Sequence, residues 1–335
     1  MIYINIKEVA RLAGVSHTTV SRVLNDPKKV KKETYDQVLK VINDYNFVPS
    51  TFARSMTNGR KYAIGLLVFY DMSQFPSEFF SSVFAGIVSV INQEGYMLNI
   101  SFGLDPRAEN KSNDYINDNR IDGLFVLAMD TQKQELSLLK KANIPFISVN
   151  QKIEDSKFSY VVADDFGGAY SAVKHLMDTG RRKIAYINGT PGFETSEERH
   201  RGYLQALQDN QVPYFPYLDV IGNFDSDTAY SMVSQLLEAH PDLDAIFAAN
   251  DIMALGAMRA VKSHGLSIPK DVAIVGFDNQ VFADCVDPPL TTVEKPRYEM
   301  GRRAAEMMLA HINSSDFNKR EELVLPTRLI VRQSS

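Results

Sequence analysis

The sequence predicts a small all-α helix-turn-helix head followed by a larger α/β body with parallel sheets. Three observations predict it. Residues 5 to 25 hold two short amphipathic helical patterns separated by a tight turn. From Tyr62 onward, short apolar runs without polar alternation are interleaved with amphipathic helical stretches, the pattern of strands covered on both faces. The chain has 335 residues, too many for one compact core, so a small module plus a larger body is expected.

The head begins at Asn5-Ile6-Lys7-Glu8, which has the form of a capping box: Asn5 accepts from the helix start and Glu8 reaches back to the Asn5 backbone. Ile6, Val9, Ala10 and Ala13 then recur at three- and four-residue steps, and Gly14 can take the left-handed conformation that ends the helix. Val15 plugs the turn. Ser16 caps a second helix whose apolar face is Val20, Val23 and Leu24. Its other face, His17, Thr18, Ser21 and Arg22, carries donors and acceptors suited to a DNA major groove. After Pro27 a third helix is expected with an inward stripe of Tyr35, Val38, Leu39, Ile42 and Tyr45. Its start signal is poor, because Lys31 and Lys32 cannot accept the first backbone N–H groups.

Charge is unevenly distributed. Residues 1–61 carry eleven Lys and Arg against five acids, a net of +6, while the remainder carries −11 of the overall −5. A basic head on an acidic body is the electrostatic footprint of a nucleic-acid reader.

Between head and body, Pro49 interrupts the helical pattern, and Phe52 to Thr57 is a helix-competent segment closed by Asn58-Gly59. A helix this short forms only when packed against something, since nucleation is costly. Strands are expected at 63–69, 98–102, 123–128, 146–149, 184–188, 245–249 and 272–277, enough for two doubly wound sheets. No G-x-G-x-x-G follows any of them and no phosphate-binding P-loop occurs, so dinucleotide and ATP readings lose their support.

Val9-Ala10, Ala13-Gly14-Val15-Ser16, Thr19-Val20-Ser21-Arg22-Val23-Leu24-Asn25 and Val48-Pro49 resemble the head of the lactose-repressor (LacI/GalR) family of bacterial transcription factors. The resemblance continues from Ile64-Gly65 to the terminal Leu325-Pro326-Thr327-Arg328, essentially the whole chain. It implies an all-α helix-turn-helix DNA-binding head plus an α/β periplasmic-binding-protein-like body of two doubly wound lobes. The implied divisions are 1–48 for the DNA-binding head, 49–61 for hinge helix and linker, and 62–335 for effector binding and dimerisation. Within the body, lobe one combines 62–161 with 294–323 and lobe two combines 163–292 with 325–335, with crossovers near Val162, Val293 and Val324.

The resemblance also implies roles. His17, Thr18 and Arg22 match the base-reading positions, with Ser16, Ser21 and Asn25 beside them. Arg22 offers a bidentate donor pair to guanine, whereas His17 and Thr18 suit either bases or phosphates. In the family, two hinge helices pair and enter the minor groove, where an apolar side chain kinks the duplex. The matching residue is Met56, where most members carry leucine, with Phe52 and Ala53 facing the partner hinge or the groove. A small effector sits between the lobes. The positions matching its contacts are Arg199, a charged fork for hydroxyls or a carboxylate; Asn250, donor and acceptor together; Asp278, an acceptor for two adjacent hydroxyls; and Phe79, Asn150 and Phe224. An Arg, an Asn and an Asp with aromatic neighbours describe a sugar site. Helix capping or loop bracing is the alternative for Asn250 and Asp278, and core packing for the two phenylalanines. Where the family often has a loop ending Asn-Pro-Phe-Phe, this chain reads Phe75-Pro76-Ser77-Glu78-Phe79-Phe80, so effector identity does not carry over.

The expectation is therefore a homodimeric repressor that binds pseudo-palindromic operator DNA under the control of a small effector of carbohydrate type. A purine or a protein co-regulator is the alternative controller. The rival class is an enzyme acting on sugars or nucleotides. Against it stand the lack of a Ser-His-Asp, Cys-His or metal-ligand arrangement, and no cofactor or metal is expected. The lone cysteine, Cys285, excludes an internal disulfide. No signal-peptide pattern or membrane-length apolar run occurs, and a cytoplasmic setting is expected. Termination at Ser335 without a leucine-repeat tail fits dimers rather than tetramers.

Overall fold

In the computed structural model, the described residues are 5–25, 29–45, 47, 60–69, 78–102, 120–128, 144–153, 158–314 and 320–335. They form two compact units, Met1–Tyr62 and Ala63–Ser335. The hinge residues Ala53 and Met56 lie outside the described residues.

The first unit holds α1 (Ile6–Leu12), α2 (His17–Asn25) and α3 (Lys32–Asp44). Asn5 Oδ1 accepts the Glu8 N–H at 3.0 Å. The reciprocal half of the capping box is replaced: the Glu8 carboxylate turns to Arg11, whose Nη2 is 2.8 Å away, because a guanidinium is a stronger donor than one backbone amide. Gly14 adopts φ +60°, and the Val15 N–H returns to the Ala10 carbonyl at 3.0 Å, which closes the turn. Val9, Ala10, Ala13, Val20, Val23 and Val38 make one small core, flanked by Val15, Leu24, Tyr35 and Ile42. Tyr45 departs from the expected inward stripe. It is the C-cap of α3 and 43% exposed, since the helix ends one residue before it. Lys31 is the N-cap of α3 and gives no side-chain hydrogen bond, as its chemistry dictates.

The second unit contains two six-stranded sheets. The first is built from β1 (Ala63–Phe69), β2 (Met97–Phe102), β3 (Gly123–Ala128), β4 (Phe146–Val149), β5 (Ser159–Ala163) and β11 (Glu322–Leu325). Its order is β11-β5-β4-β3-β1-β2, and every neighbouring pair is parallel. The second sheet takes β6 (Ile184–Asn188), β7 (Asp219–Ile221), β8 (Ala245–Ala248), β9 (Ala273–Asp278), β10 (Thr291–Glu294) and β12 (Arg328–Ile330), in the order β12-β10-β9-β8-β6-β7. Among the described strands only β12 runs antiparallel, against β10. The chain passes between sheets three times: from β5 into α5 (Asp165–Asp178), from β10 into α9 (Arg297–Asn313), and from β11 into β12.

Helices cover the sheets. α4 (Glu78–Ile91) crosses α9 on the first lobe, and their backbones touch at two glycines. A Cβ on Gly86 would sit 2.1 Å from the Tyr298 carbonyl oxygen, and one on Gly301 would sit 2.0 Å from that of Val83. On the second lobe, α5 packs on α6 (Glu194–Asp209), and α7 (Ser226–Ala239) packs on α8 (Asp251–Ser263). Strands such as Phe146–Val149, Ser159–Ala163 and Ala245–Ala248 are buried at every position, which explains why they lack alternation. Five short strands with polar members escaped the apolar-run reading: β7 (Asp-Val-Ile), β11 (Glu-Leu-Val-Leu) and β12 (Arg-Leu-Ile) lie at sheet edges, and β5 (Ser-Tyr-Val-Val-Ala) and β10 (Thr-Thr-Val-Glu) lie next to β11 and β12. Among the described residues no helix is long and apolar enough to cross a membrane.

Candidate nucleic-acid interface and effector cleft

On α2, Val20 and Val23 are buried, while His17, Thr18 and Arg22 are exposed. Ser16 is spent on the cap: its Oγ accepts the Thr19 N–H at 3.1 Å and lies 2.8 Å from Thr19 Oγ1. Ser21 is half-buried. Asn25 is the last residue of α2. The helix therefore offers His17, Thr18 and Arg22 on one free surface, held by the valines beneath.

In the second unit, a buried charge cluster forms where the strands of the second sheet end and the chain crosses between lobes. Residues Thr195, Ser196, Arg199, Gly202, Tyr203 and Ala206 form the inward face of α6, at helical spacing. Arg199 is 3% exposed. Its Nε donates to Asp165 Oδ1 at 2.8 Å, its Nη1 to the Ala249 carbonyl, and its Nη2 is 2.7 Å from Asp165 Oδ1 and 3.4 Å from Asp278 Oδ1. The guanidinium lies over the Phe277 ring, 3.7 Å from its centroid. Lys295, also buried, places Nζ 3.0 Å and 3.3 Å from the two Asp165 oxygens and 5.5 Å from the Phe79 ring centroid. Asp165 opens α5 just after one crossover and Lys295 lies between β10 and α9, so this ion pair ties two crossover segments together.

These pairings set the ionisation. Burial alone would raise the Asp165 carboxyl, but Lys295 and then Arg199 outweigh it and hold it below its usual value. Burial lowers Lys295, with Asp165 opposing. Asp251, at the start of α8, shows the contrary balance. Burial and the nearby Asp278 charge push its carboxyl up to about 7, against hydrogen bonds from Thr292 Oγ1 (2.5 Å) and the Gln280 N–H (2.7 Å).

Asn250 is the N-cap of α8, its Oδ1 accepting the Met253 N–H at 2.8 Å. It follows Ala249, whose carbonyl holds Arg199, so capping fixes it beside the cluster. Asp278 ends β9 at φ +108°, a strained value for a residue with a Cβ. Asn150 follows β4 at φ +75° and is 6% exposed. Its Oδ1 is buried without a hydrogen-bond partner. It lines a small pocket with Lys152, Asp165, Glu194, Thr195 and Glu198. Phe224 stacks with Phe193, ring centroids 6.4 Å apart, and lies over Gly189 so closely that a Cβ there would be 2.1 Å from its ring. Thus Arg199, Asp278, Asn250 and, through Lys295, Phe79 are brought together. Asn150 reaches the same pocket through Asp165, while Phe224 packs in a separate aromatic pair.

Two polar clasps join the lobes across this region. The Lys152 N–H donates to Glu194 Oε2 at 2.6 Å, and Lys152 Nζ is 3.4 Å from Glu198. Glu78 Oε2 accepts the Val281 N–H at 3.1 Å, and Arg297 Nη2 binds Glu78 Oε1 at 2.8 Å and the Asn279 carbonyl at 3.2 Å. Sequence reasoning passed over Asp165, Lys295, Lys152, Glu194 and the Glu78–Arg297 pair. The available signal was a carboxylate next to a helix cap, Asp164-Asp165, and a lysine before Pro296; neither residue type announces that it will be buried.

Residues 5–50 match the model of the "Bacterial regulatory proteins, lacI family", and residues 173–335 match that of the "Periplasmic binding protein-like domain". The HTH-type transcriptional repressor PurR of Vibrio atlanticus (strain LGP32) is 35% identical over 321 residues, spanning 94% of each chain. The chain belongs to the LacI family of transcriptional regulators. The solved complex of the transcriptional regulator CelR with cellobiose is 30% identical and covers 99% of this chain and 100% of its own, with a TM-score of 0.76. The lac repressor dimer bound to operator and the anti-inducer ONPF shares the fold at 24% identity, with a TM-score of 0.84 over 99% of both chains. Members of this family are DNA-binding regulators controlled by small effectors, not enzymes.

Proposed function

We propose that this LacI-family member is a cytoplasmic homodimeric repressor whose operator affinity is set by a carbohydrate-type effector held between the two lobes of the body. The DNA-reading residues are Arg22, with His17 and Thr18; Ser16, Ser21 and Asn25 support the helix, and Ala53 and Met56 act from the hinge. Two such helices reading a pseudo-palindrome require a two-fold dimer. The head, 1–48, reads the operator; the hinge, 49–61, couples; the body, 62–335, senses the effector.

The observation that carries the effector reading is the polar cluster at the strand ends of the second sheet, beside a buried acceptor, Asn150 Oδ1, that has no protein partner. Open α/β folds bind ligands at the carboxyl ends of their strands, and an unsatisfied buried acceptor costs about 1–3 kcal/mol unless a ligand satisfies it. Arg199 is largely committed to Asp165, Asp278 and Ala249, so it serves the ligand chiefly by orienting Asp278 and the end of β8. Asn250, Asp278 and Phe79 complete the contact set, and Phe224 with Phe193 bounds it. The CelR complex with cellobiose supports a carbohydrate. Closure on the effector biases one lobe arrangement and, through the hinge, operator affinity, with a coupling of about 1–3 kcal/mol.

A thermal-shift panel of mono- and disaccharides against nucleobases tests this. A selective rise in melting temperature with a saccharide, lost in Asn150→Gly, is the expected result; glycine suits the positive φ at that position. A rise with a nucleobase alone would overturn the carbohydrate reading.

A further inference from the structure

Among the described residues, the cleft carries no excess of positive charge before any ligand arrives. Four cations stand there among the described residues: Arg199, Lys295, Lys152 and Arg297. Each is already ion-paired. Arg199 and Lys295 share Asp165, Lys152 lies between Glu194 and Glu198, and Arg297 binds Glu78. Asp278 adds one more carboxylate, 3.4 Å from Arg199. The pocket next to Asn150 is lined by the carboxylates of Asp165, Glu194 and Glu198 against the single ammonium of Lys152. An anion entering this pocket would meet three carboxylates, and its one ammonium, Lys152, is already held by two of them.

The unmet polar atoms ask for something else. Asn150 Oδ1 is a buried acceptor without a donor, and Arg297 Nη1 is a buried donor without an acceptor. A hydroxyl group both donates and accepts, and so satisfies either without bringing charge.

We propose that Asp165 is a specificity-determining residue: by offsetting, together with Asp278, the charges of Arg199 and Lys295, it makes the cleft select an uncharged polyhydroxy effector over a sugar acid or sugar phosphate. The proposal rests on the carbohydrate reading of the preceding section and deepens it. Replacing the Asp165 carboxylate by an amide of the same shape would leave one unit of positive charge uncompensated at the pocket wall, where a carboxylate or phosphate could then bind. Removing Lys295 as well would restore the balance, leaving Arg199 opposite Asp278.

The test uses the full-length wild type, Asp165→Asn and the double variant Asp165→Asn/Lys295→Gln, each checked for folding by circular dichroism. Matched pairs are titrated calorimetrically: glucose and glucuronate, galactose and galacturonate, ribose and ribose 5-phosphate, with cellobiose as a neutral disaccharide. The expected result is that wild type binds at least one neutral sugar at least tenfold more tightly than its charged counterpart. In Asp165→Asn that ratio falls at least tenfold through a gain in the charged ligand, and in the double variant it returns toward the wild-type value. Wild type preferring the charged member of a pair would overturn the proposal, as would an unchanged ratio in Asp165→Asn. If Asp165→Asn does not fold, the wild-type ratio and the charge-balanced double variant decide. If no saccharide of either kind binds any of the proteins, the carbohydrate reading itself fails and the proposal with it.

Discussion

Asp251 gives the sharpest quantitative prediction. It is fully buried at the start of α8, its carboxylate pressed on the backbone at Gly276, where an added Cβ would lie 2.3 Å from Oδ1. Burial and Asp278 raise its carboxyl from the ordinary 3.8 to about 7. The folded state therefore holds a proton that the unfolded chain gives up near pH 4. The sign follows: the contribution is fully present below about pH 4 and is lost as pH rises through about 7. At about 1.4 kcal/mol per pH unit the span sets a ceiling of about 4 kcal/mol, of which about 3 kcal/mol falls between pH 4.5 and 8. Asp251→Asn keeps the shape and removes the titration. Because the chain has no tryptophan, urea unfolding is followed by circular dichroism, for wild type and variant, at pH 4.5, 6 and 8. The stability of wild type relative to the variant should fall by about 3 kcal/mol over that range, the shift working through a single group. A difference that stays constant with pH would refute the reasoning.

Three further outcomes follow from the packing. Arg199→Met should cost about 3–5 kcal/mol in urea unfolding at pH 7, since it strands Asp278 and leaves Asp165 with Lys295 alone; a loss under about 1 kcal/mol would contradict the buried network. Gly301→Ala should cost about 1–3 kcal/mol in the same assay, because its Cβ meets the Val83 carbonyl oxygen of α4 and neither backbone can retreat without moving the helix crossing. Ser16→Ala should cost the head about 1 kcal/mol in thermal unfolding, by leaving the first-turn Thr19 N–H without its cap, whereas Thr18→Ala, on the exposed face, should leave head stability within about 0.5 kcal/mol.

The head was almost fully legible because its signals are local. Asn5 and Ser16 cap, Gly14 turns, and the valines recur at helical spacing, each within four residues of its consequence. The central strands were legible for a related reason: burial on both faces leaves unbroken apolar runs such as Ile64 to Val68 and Ile274 to Val275. The strands at three of the edges and the two beside them were not: β7, β10, β11 and β12 contain charged or hydroxyl residues that read as loop, and β5, although buried throughout, opens on Ser159-Tyr160 and offers only three apolar residues in a row. In the cleft, a family resemblance pointed to Arg199, Asn250 and Asp278, but the partners that define their chemistry lie far away in sequence. Asp165 meets Arg199 across 34 positions and Lys295 across 130. No local pattern encodes such a pairing; it exists only once the two crossovers bring α5 and the start of α9 together. The same holds for Lys152 with Glu194 and for Glu78 with Val281 and Arg297. The resemblance gave Arg199 a role as a fork toward the ligand, and the geometry shows most of that fork turned inward.

The central claim is that α2 reads DNA and that two copies do so about a two-fold axis. Selection from a random duplex pool by the full-length protein measures it most directly, run in parallel with Arg22→Ala. The enriched sequences should contain two inverted half-sites, and the variant should lose preference at one symmetric pair of positions, a discrimination of about 1–3 kcal/mol per site, while keeping the half-site spacing. Enriched sequences without two-fold symmetry, or an Arg22→Ala selection identical to that of the wild type, would contradict the account.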